Sequence, residues 1–374
     1  MNQSAKNALK PRWRIAHSEA SIGWGGQEHR VLAELAGFQR RGCKVWLLAP
    51  ENSRIFELAK ATGIPVLAVN FSKLLLPFNI VRFALWLRRN KIQVLNPHSS
   101  KDGWLFGLAG RLARIPLIIR TRHIDVDYPN PTVSRHAFVT LADHILTTSD
   151  QIRKHFQQIF KLTGDRISTL PTGIDLERFI PGEPAPNLFA KAPPGVPLIG
   201  MISVLRTWKG HETFLEAARI LTDAGFQARY VIVGGGPGKQ RIERAIATLK
   251  LGEMVEMTGH REDIPDLLRA LSVLVIPSTH HEGVPQIGLQ ALATRTPVVG
   301  SDVGGIPEII RPGETGRIFP AMDAAALAVA ISETIEQKEL TQTMVERGFL
   351  DVKAHHSLDT MLDSLDALYS RYIN

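Results

Sequence analysis

The sequence predicts an α/β protein made of two doubly wound parallel sheets, and three observations predict it. Strands and helices alternate along residues 13–174, and the alternation restarts along 197–296. Between these stretches, residues 181–197 hold six prolines and no helical or strand period, the composition of a linker. Charge divides at the same place: residues 1–180 carry 26 Lys+Arg against 13 Asp+Glu, and residues 181–374 carry 18 against 23. A length of 374 residues suits about two domains at ~150 residues each. Strands that alternate with helices pair in parallel and are covered on both faces.

Taken in order, residues 13–18 read as the first strand and 27–42 as a helix that stops at Gly42. Strand and helix then recur through 43–50, 54–64, 65–71, a helical stretch to Asn90, 92–99, 105–115 and 116–123, and 136–149 and 166–174 close the half. The second half runs 197–205, 212–225, 228–236, 239–252, 254–260, 264–271 and 273–279. The expected domains are 12–182 and 196–356, followed by an amphipathic helix over 357–374.

Composition excludes several classes. One cysteine, Cys43, leaves no internal disulfide or cysteine-rich metal cluster and suits a reducing cytosol. The first twelve residues lack the apolar core of a signal peptide and read as a loose tail, and no apolar run approaches a membrane span. The loop Gly23-Trp24-Gly25-Gly26 lacks the dinucleotide fingerprint, since position 28 is Glu and no acid ends the second strand. Gly234 to Lys239 is not a phosphate-binding P-loop, because Val233 precedes it and Gln240 follows it. It reads as a turn beside a nucleotide pocket.

Three segments of the second half carry chemistry. The first, 271–296, reads as a strand over 273–276, a polar loop over 277–283 and a helix opening at Pro285. Free N–H groups at such a helix start favour phosphate, and the Glu282 carboxylate before them accepts hydrogen bonds from hydroxyls. A ligand with both groups suits the pair. Next, a strand over 200–205 delivers Arg206 and Lys209, two cations that can neutralise a leaving diphosphate without a metal. A solvated surface pair is the plainer reading of any one Arg and Lys. The third segment sets Gly304, Gly305 and Glu308 before a further helix.

In this order, R-x-x-K-G, E-x7-Q and G-G-x-P-E, the segments resemble the retaining nucleotide-sugar glycosyltransferases of the large bacterial family four, which have the GT-B fold. The resemblance implies two Rossmann-like domains facing a central cleft, with the terminal helix crossing back onto the first. It implies that Glu282 meets the donor sugar, with Gly283, Val284, Pro285 and Gln286 behind it, while Arg206 and Lys209 hold the diphosphate. Gln290 stands where the family has a second Glu, toward the ribose, and Glu308 is a further ribose or base contact. Gly25 and Gly26 would lie under the diphosphate, and His98 at a strand end would face the donor sugar. Arg120, Arg122 and His123 end the next strand and could bind an anionic acceptor.

The expected activity is sugar transfer from a nucleotide diphosphate sugar to a glycan or glycolipid hydroxyl in bacterial envelope synthesis, with no cofactor and no metal. Asp125-Val126-Asp127 imitates a metal motif but lies away from the clamp, and His280-His281 and His355-His356 lack partners at metal-ligand spacing. Two alternatives stand: a catalytically silent GT-B protein that binds sugar nucleotide, and a GT-B sugar-nucleotide epimerase. No nucleic-acid partner is expected. Residues 71–91 interleave apolar and basic side chains, the composition of a helix lying on an anionic membrane. The expected location is the cytoplasm, with peripheral contact at the inner membrane face.

Overall fold

A computed structural model describes residues 12–125, 130–162, 164–185, 188, 189, 193 and 195–373. The loose tail expected at the N-terminus lies outside the described residues, apart from Arg12, as does Asp127. The chain forms two compact units: residues to Gly173 together with those from Leu358, and Ile174–Ser357.

The first unit holds β1 (Arg14–Ser18), β2 (Lys44–Ala49), β3 (Val66–Ala68), β4 (Val94–Pro97), β5 (Leu117–Arg122), β6 (His144–Thr147) and β7 (Ile167–Thr169). They form one sheet in the order β3-β2-β1-β4-β5-β6-β7, and every pairing is parallel. The period of two sorts its side chains. Ile15, Val45, Leu47, Val94, Leu117 and Ile119 enter one core, while Ala16, Leu48, Leu95 and Ile118 enter a second. Helices start where polar side chains can take their first N–H groups. Ser53 accepts from Phe56 N and Ser149 from Ile152 N, and Ser99 with Asp102 forms a capping box.

The second unit holds β8 (Leu198–Ile202), β9 (Arg229–Val233), β10 (Val255–Gly259), β11 (Val273–Ile276), β12 (Val298–Ser301) and β13 (Arg317–Phe319). Their order is β10-β9-β8-β11-β12-β13, again parallel throughout. The chain enters this unit at Ile174, ahead of the proline-rich stretch read as the linker. The reason is burial: Phe179 and Phe189 pack into the second unit's core with Leu268 and Val284, and Arg261 Nη1 donates to Leu188 O at 3.0 Å.

The terminal helix, Leu358–Tyr372, belongs to the first unit. Leu358, Met361, Leu362, Leu365 and Tyr369 form the helical stripe that it buries, against Val31, Leu35 and Phe38 of the helix Gly26–Arg40. Gly37 lets the two helices touch, since a Cβ there would lie 2.5 Å from Leu362 Cδ1.

The helix Leu76–Arg89 buries Phe83, Ala84 and Leu87, yet Leu74, Phe78 and Val81 are 92%, 66% and 53% exposed. Lys73, Arg82, Arg88 and Arg89 are exposed on the same stretch. No helix of the described residues is long and apolar enough to cross a membrane.

The contact at Gly37 can be tested. Gly37→Val should lower stability by ~1–3 kcal/mol through overpacking. Urea unfolding should show a lower midpoint with the slope unchanged.

Candidate functional site

In the second unit, β8, β11 and β12 are neighbours, and the loops that follow them form one cluster. Gly210 has φ +74, and a Cβ there would lie 1.7 Å from Pro277 O. Thr279 N donates to Trp208 O at 2.8 Å, which joins the first two loops. Gly304 has φ +59, and its Cβ would lie 2.1 Å from Glu282 O; Gly305 N donates to that oxygen at 3.3 Å. Only glycine permits these approaches in the left-handed region. The glycines at 210 and 304 are therefore demanded by the packing of the loops themselves.

The cluster pins a carboxylate and a cation together. Lys209 Nζ donates to Glu282 Oε1 at 2.9 Å and to Oε2 at 2.7 Å, and Ser278 Oγ donates to Oε2 at 2.8 Å. Glu282 is 8% exposed. Ser278 is held in turn, because Ser301 Oγ donates to Ser278 O at 2.6 Å. An ammonium has three N–H donors, so one remains for a further acceptor. Arg206 is exposed, its guanidinium 5.0 Å from the Trp208 ring centre.

The helix after Glu282 starts one residue later than expected, at Gln286. Pro285 is its N-cap, with φ −73 and ψ 119, and its carbonyl accepts from Gly288 N at 3.1 Å. Gly283, Val284 and Pro285 are buried behind Glu282, while Gln286, Gln290 and Glu308 are half-buried. Gly234, expected beside a nucleotide, meets its own fold first: its Cβ would lie 1.8 Å from Ser203 O.

The first unit has a second polar cluster at its strand ends. His98, after β4, is 2% exposed, and both of its ring nitrogens are taken. Nε2 lies 2.9 Å from His17 Nδ1, and Nδ1 lies 2.9 Å from His123 Nε2. Direct contact between His98 and a sugar would require one of these bonds to open. Burial pushes His17 down to about 4 and holds His98 and His123 well below the ordinary imidazole range, so all three rings are neutral near pH 7. Beneath them, Asp102 accepts from His98 N, Ser99 N, Ser99 Oγ, Ser18 Oγ and Gly103 N.

Arg120 requires a correction. It is 1% exposed rather than open to an acceptor, because Nη2 donates to Ser99 O at 2.9 Å and the guanidinium sits 4.8 Å from the Phe138 ring centre. A Cβ on Gly103 would lie 2.2 Å from its Nη1. Arg122 is 9% exposed and also faces Phe138, at 5.4 Å, and His123 is half-buried.

Gly25 is the N-cap of the helix Gly26–Arg40, in extended backbone at φ −166. Its Cβ would meet nothing closer than Glu28 Oε2 at 3.6 Å, so no tight turn demands glycine there. Burial, then Asp102, pushes the Glu19 carboxyl beside this loop up to about 8. It accepts from Ser21 N at 2.8 Å and from Gln27 Nε2.

Sequence reasoning missed Ser278, Ser301, Trp208 and His17. The hydroxyls at the ends of β11 and β12 were the available signal for the first two. His17 carried none, being a lone histidine inside a strand. Asp125 Oδ1 lies 2.6 Å from His155 Nδ1. Among the described residues no group of three or more His, Cys, Asp or Glu is placed to hold a metal ion.

The ion pair has a measurable consequence for folding. Lys209→Ala leaves the Glu282 carboxylate with Ser278 alone, so stability should fall by ~1–3 kcal/mol. Arg206→Ala, at an exposed side chain, should change it by less than ~0.5 kcal/mol. Thermal unfolding of the two variants checks the contrast.

Two family profiles match the chain: Glycosyltransferase Family 4 over residues 24–178 and Glycosyl transferases group 1 over 189–351. A D-inositol 3-phosphate glycosyltransferase of Nocardia farcinica is 27% identical over 294 residues, 71% of this chain and 65% of that protein. A lipopolysaccharide core biosynthesis mannosyltransferase of Rhizobium leguminosarum is 30% identical over 204 residues, 53% of this chain and 58% of that protein. These matches span under two thirds of either relative. Among solved structures, Anabaena HepE in complex with UDP superposes with a TM-score of 0.84 at 20% identity, covering 96% of this chain and 100% of that one. That likeness establishes the fold. With paired parallel-sheet units of this topology and both halves matched in order, the chain belongs to family four of the GT-B glycosyltransferases.

Proposed function

We propose that this protein moves a sugar from a nucleotide diphosphate sugar to a hydroxyl acceptor with retention at the anomeric carbon, without a metal, in bacterial envelope glycan synthesis. The observation that carries the reading is the Lys209–Glu282 pair, fixed by Ser278 on loops of adjacent strands, with Arg206 over Trp208 on the same loop as Lys209. UDP in HepE and the lipopolysaccharide role of the Rhizobium relative support the donor class and the acceptor class.

Glu282 keeps lone pairs for donor-sugar hydroxyls while it anchors Lys209. The third N–H of Lys209 and the fork of Arg206 take the diphosphate oxygens. As the bond from C1 to the phosphate oxygen breaks, charge grows on that oxygen, and two fixed cations stabilise it where it forms. The acceptor oxygen bonds C1 on the same face, and its proton passes to the departing phosphate. Gln290 holds a ribose hydroxyl by one accepted and one donated bond. Gly25 and Gly26 leave room for the diphosphate, Glu308 contacts the ribose or base, and His123 and Arg122 serve the substrates from the first unit.

The test begins with a panel of nucleotide diphosphate sugars ranked by thermal shift, and the best is used with radiolabel. Arg206→Ala should lower transfer by ~10²-fold, Glu282→Gln should nearly abolish it, and EDTA should leave it unchanged. Donor that binds and stays unreacted means a silent protein. Donor recovered as its epimer means an epimerase.

The acceptor is delivered at a membrane surface. Leu74, Phe78, Val81 and Leu85 stand exposed beside Lys73, Arg82, Arg88 and Arg89, so apolar insertion and attraction to anionic headgroups act together. Each cation near such a surface contributes ~1 kcal/mol. The protein should sediment with phosphatidylglycerol vesicles at low salt and be released at high salt. Changing Arg82, Arg88 and Arg89 together to Glu should prevent sedimentation and leave donor affinity intact; absence of binding at low salt points to a soluble acceptor.

A further inference from the structure

The sequence treats His98 and His123 as separate substrate contacts, whereas the structure joins them to His17 in one line. His17 Nδ1 meets His98 Nε2, and His98 Nδ1 meets His123 Nε2, each at 2.9 Å. A neutral imidazole carries one N–H. Each contact needs one donor and one acceptor, so two arrangements satisfy both contacts. Either every ring is protonated at Nε2, or every ring is protonated at Nδ1. The three tautomers change together.

The inner end of the line decides between them. His17 Nε2 lies 3.8 Å from Glu34 Oε2, with both side chains wholly buried. Glu34 Oε1 accepts from Arg30 Nε at 2.6 Å, and Arg30 Nη1 donates to Leu170 O at 2.6 Å. Paired with that guanidinium, the Glu34 carboxylate offers His17 only lone pairs. At 3.8 Å the contact is longer than a hydrogen bond. It acts as a charge on a dipole, which attracts an N–H and repels a lone pair in a buried, weakly screened site. At His17 the Glu34 charge outweighs that of Arg30.

We propose that Glu34, His17 and His98 are positioning residues that lock His123 in the Nε2–H tautomer, so that its Nδ1 is a hydrogen-bond acceptor for a substrate hydroxyl. His123 is half-buried, and no described residue hydrogen-bonds its Nδ1. The site built this way takes a hydroxyl donor and rejects a group that only accepts. It rests on the reading of His123 as a substrate contact. The selecting charge sits on the helix Gly26–Arg40, with three rings between it and the substrate.

The tautomers can be read directly in the full chain labelled with ¹⁵N-histidine, by side-chain NMR at pH 7. The expected result is protonated Nε2 on His17, His98 and His123, with a bare Nδ1 on His123. A proton on His123 Nδ1, or a charged ring in the line, overturns the proposal. Glu34→Gln, whose amide can accept or donate, should give a mixture of tautomers and lower transfer by about tenfold, the worth of one hydrogen bond. An unchanged tautomer in that variant also overturns it, because Glu34 would then set nothing. If the variant does not fold, the native spectrum still decides. A tautomer that shifts while transfer is unaffected leaves the chain of histidines intact and refutes the substrate role of His123.

Discussion

A parallel sheet buried on both faces has nowhere to put ligand-binding groups except at its strand ends, and this constraint organises both units. Side chains along β1, β2, β4 and β5 enter two cores, and those of β8, β9 and β11 do the same. In each sheet the winding reverses once, between β1 and β4 and between β8 and β11. The connections leave in opposite directions there, and a crevice opens at the carboxyl ends. Lys209 follows β8 and Glu282 follows β11, so the pair flanks the reversal. In the first sheet His17 lies on β1 and His98 follows β4, at the equivalent place.

Preorganisation in the second unit comes from backbone contact. Gly210 lies against Pro277 O and Gly304 against Glu282 O, at distances no side chain would allow. These contacts hold three loops without relying on long side chains, whose rotamer freedom would have to be lost on binding. The Lys209–Glu282 pair is held in this way by backbone contact and by Ser278.

The first unit solves a different problem, the burial of many polar groups at one sheet edge. Asp102 is surrounded by five donors, the three imidazoles pair with one another, and Arg30 compensates Glu34. A buried network is tolerable when its members are satisfied. The inner end is the exception: His17 Nε2 and Glu34 Oε2 are buried without a hydrogen bond, 3.8 Å apart. Arg120 belongs to this scaffold, packed over Gly103 and beside Phe138.

The sequence by itself determined the two doubly wound sheets, the segment Arg206 to Gly210, the loop ending in Glu282 and the turn at Gly304. These are local signals: a period of two or 3.6, a proline at a helix start, glycines between a strand and a helix. The spacing of Arg206 and Lys209 put both on one loop after β8, where Lys209 meets Glu282 and Arg206 lies over Trp208. Only the tertiary structure decided that Lys209 is bound to Glu282, 73 residues away, and that His98 is closed off by His17 and His123, 81 and 25 residues away. It also decided that Arg120 is buried and that Leu188 and Phe189 of the proline-rich stretch meet the second unit. The physical reason is the parallel sheet itself. Each crossover carries the chain through a helix before the next strand, so residues that meet at one edge are far apart in sequence. Which of two neighbouring polar side chains reaches solvent then depends on packing from elements that no local pattern identifies.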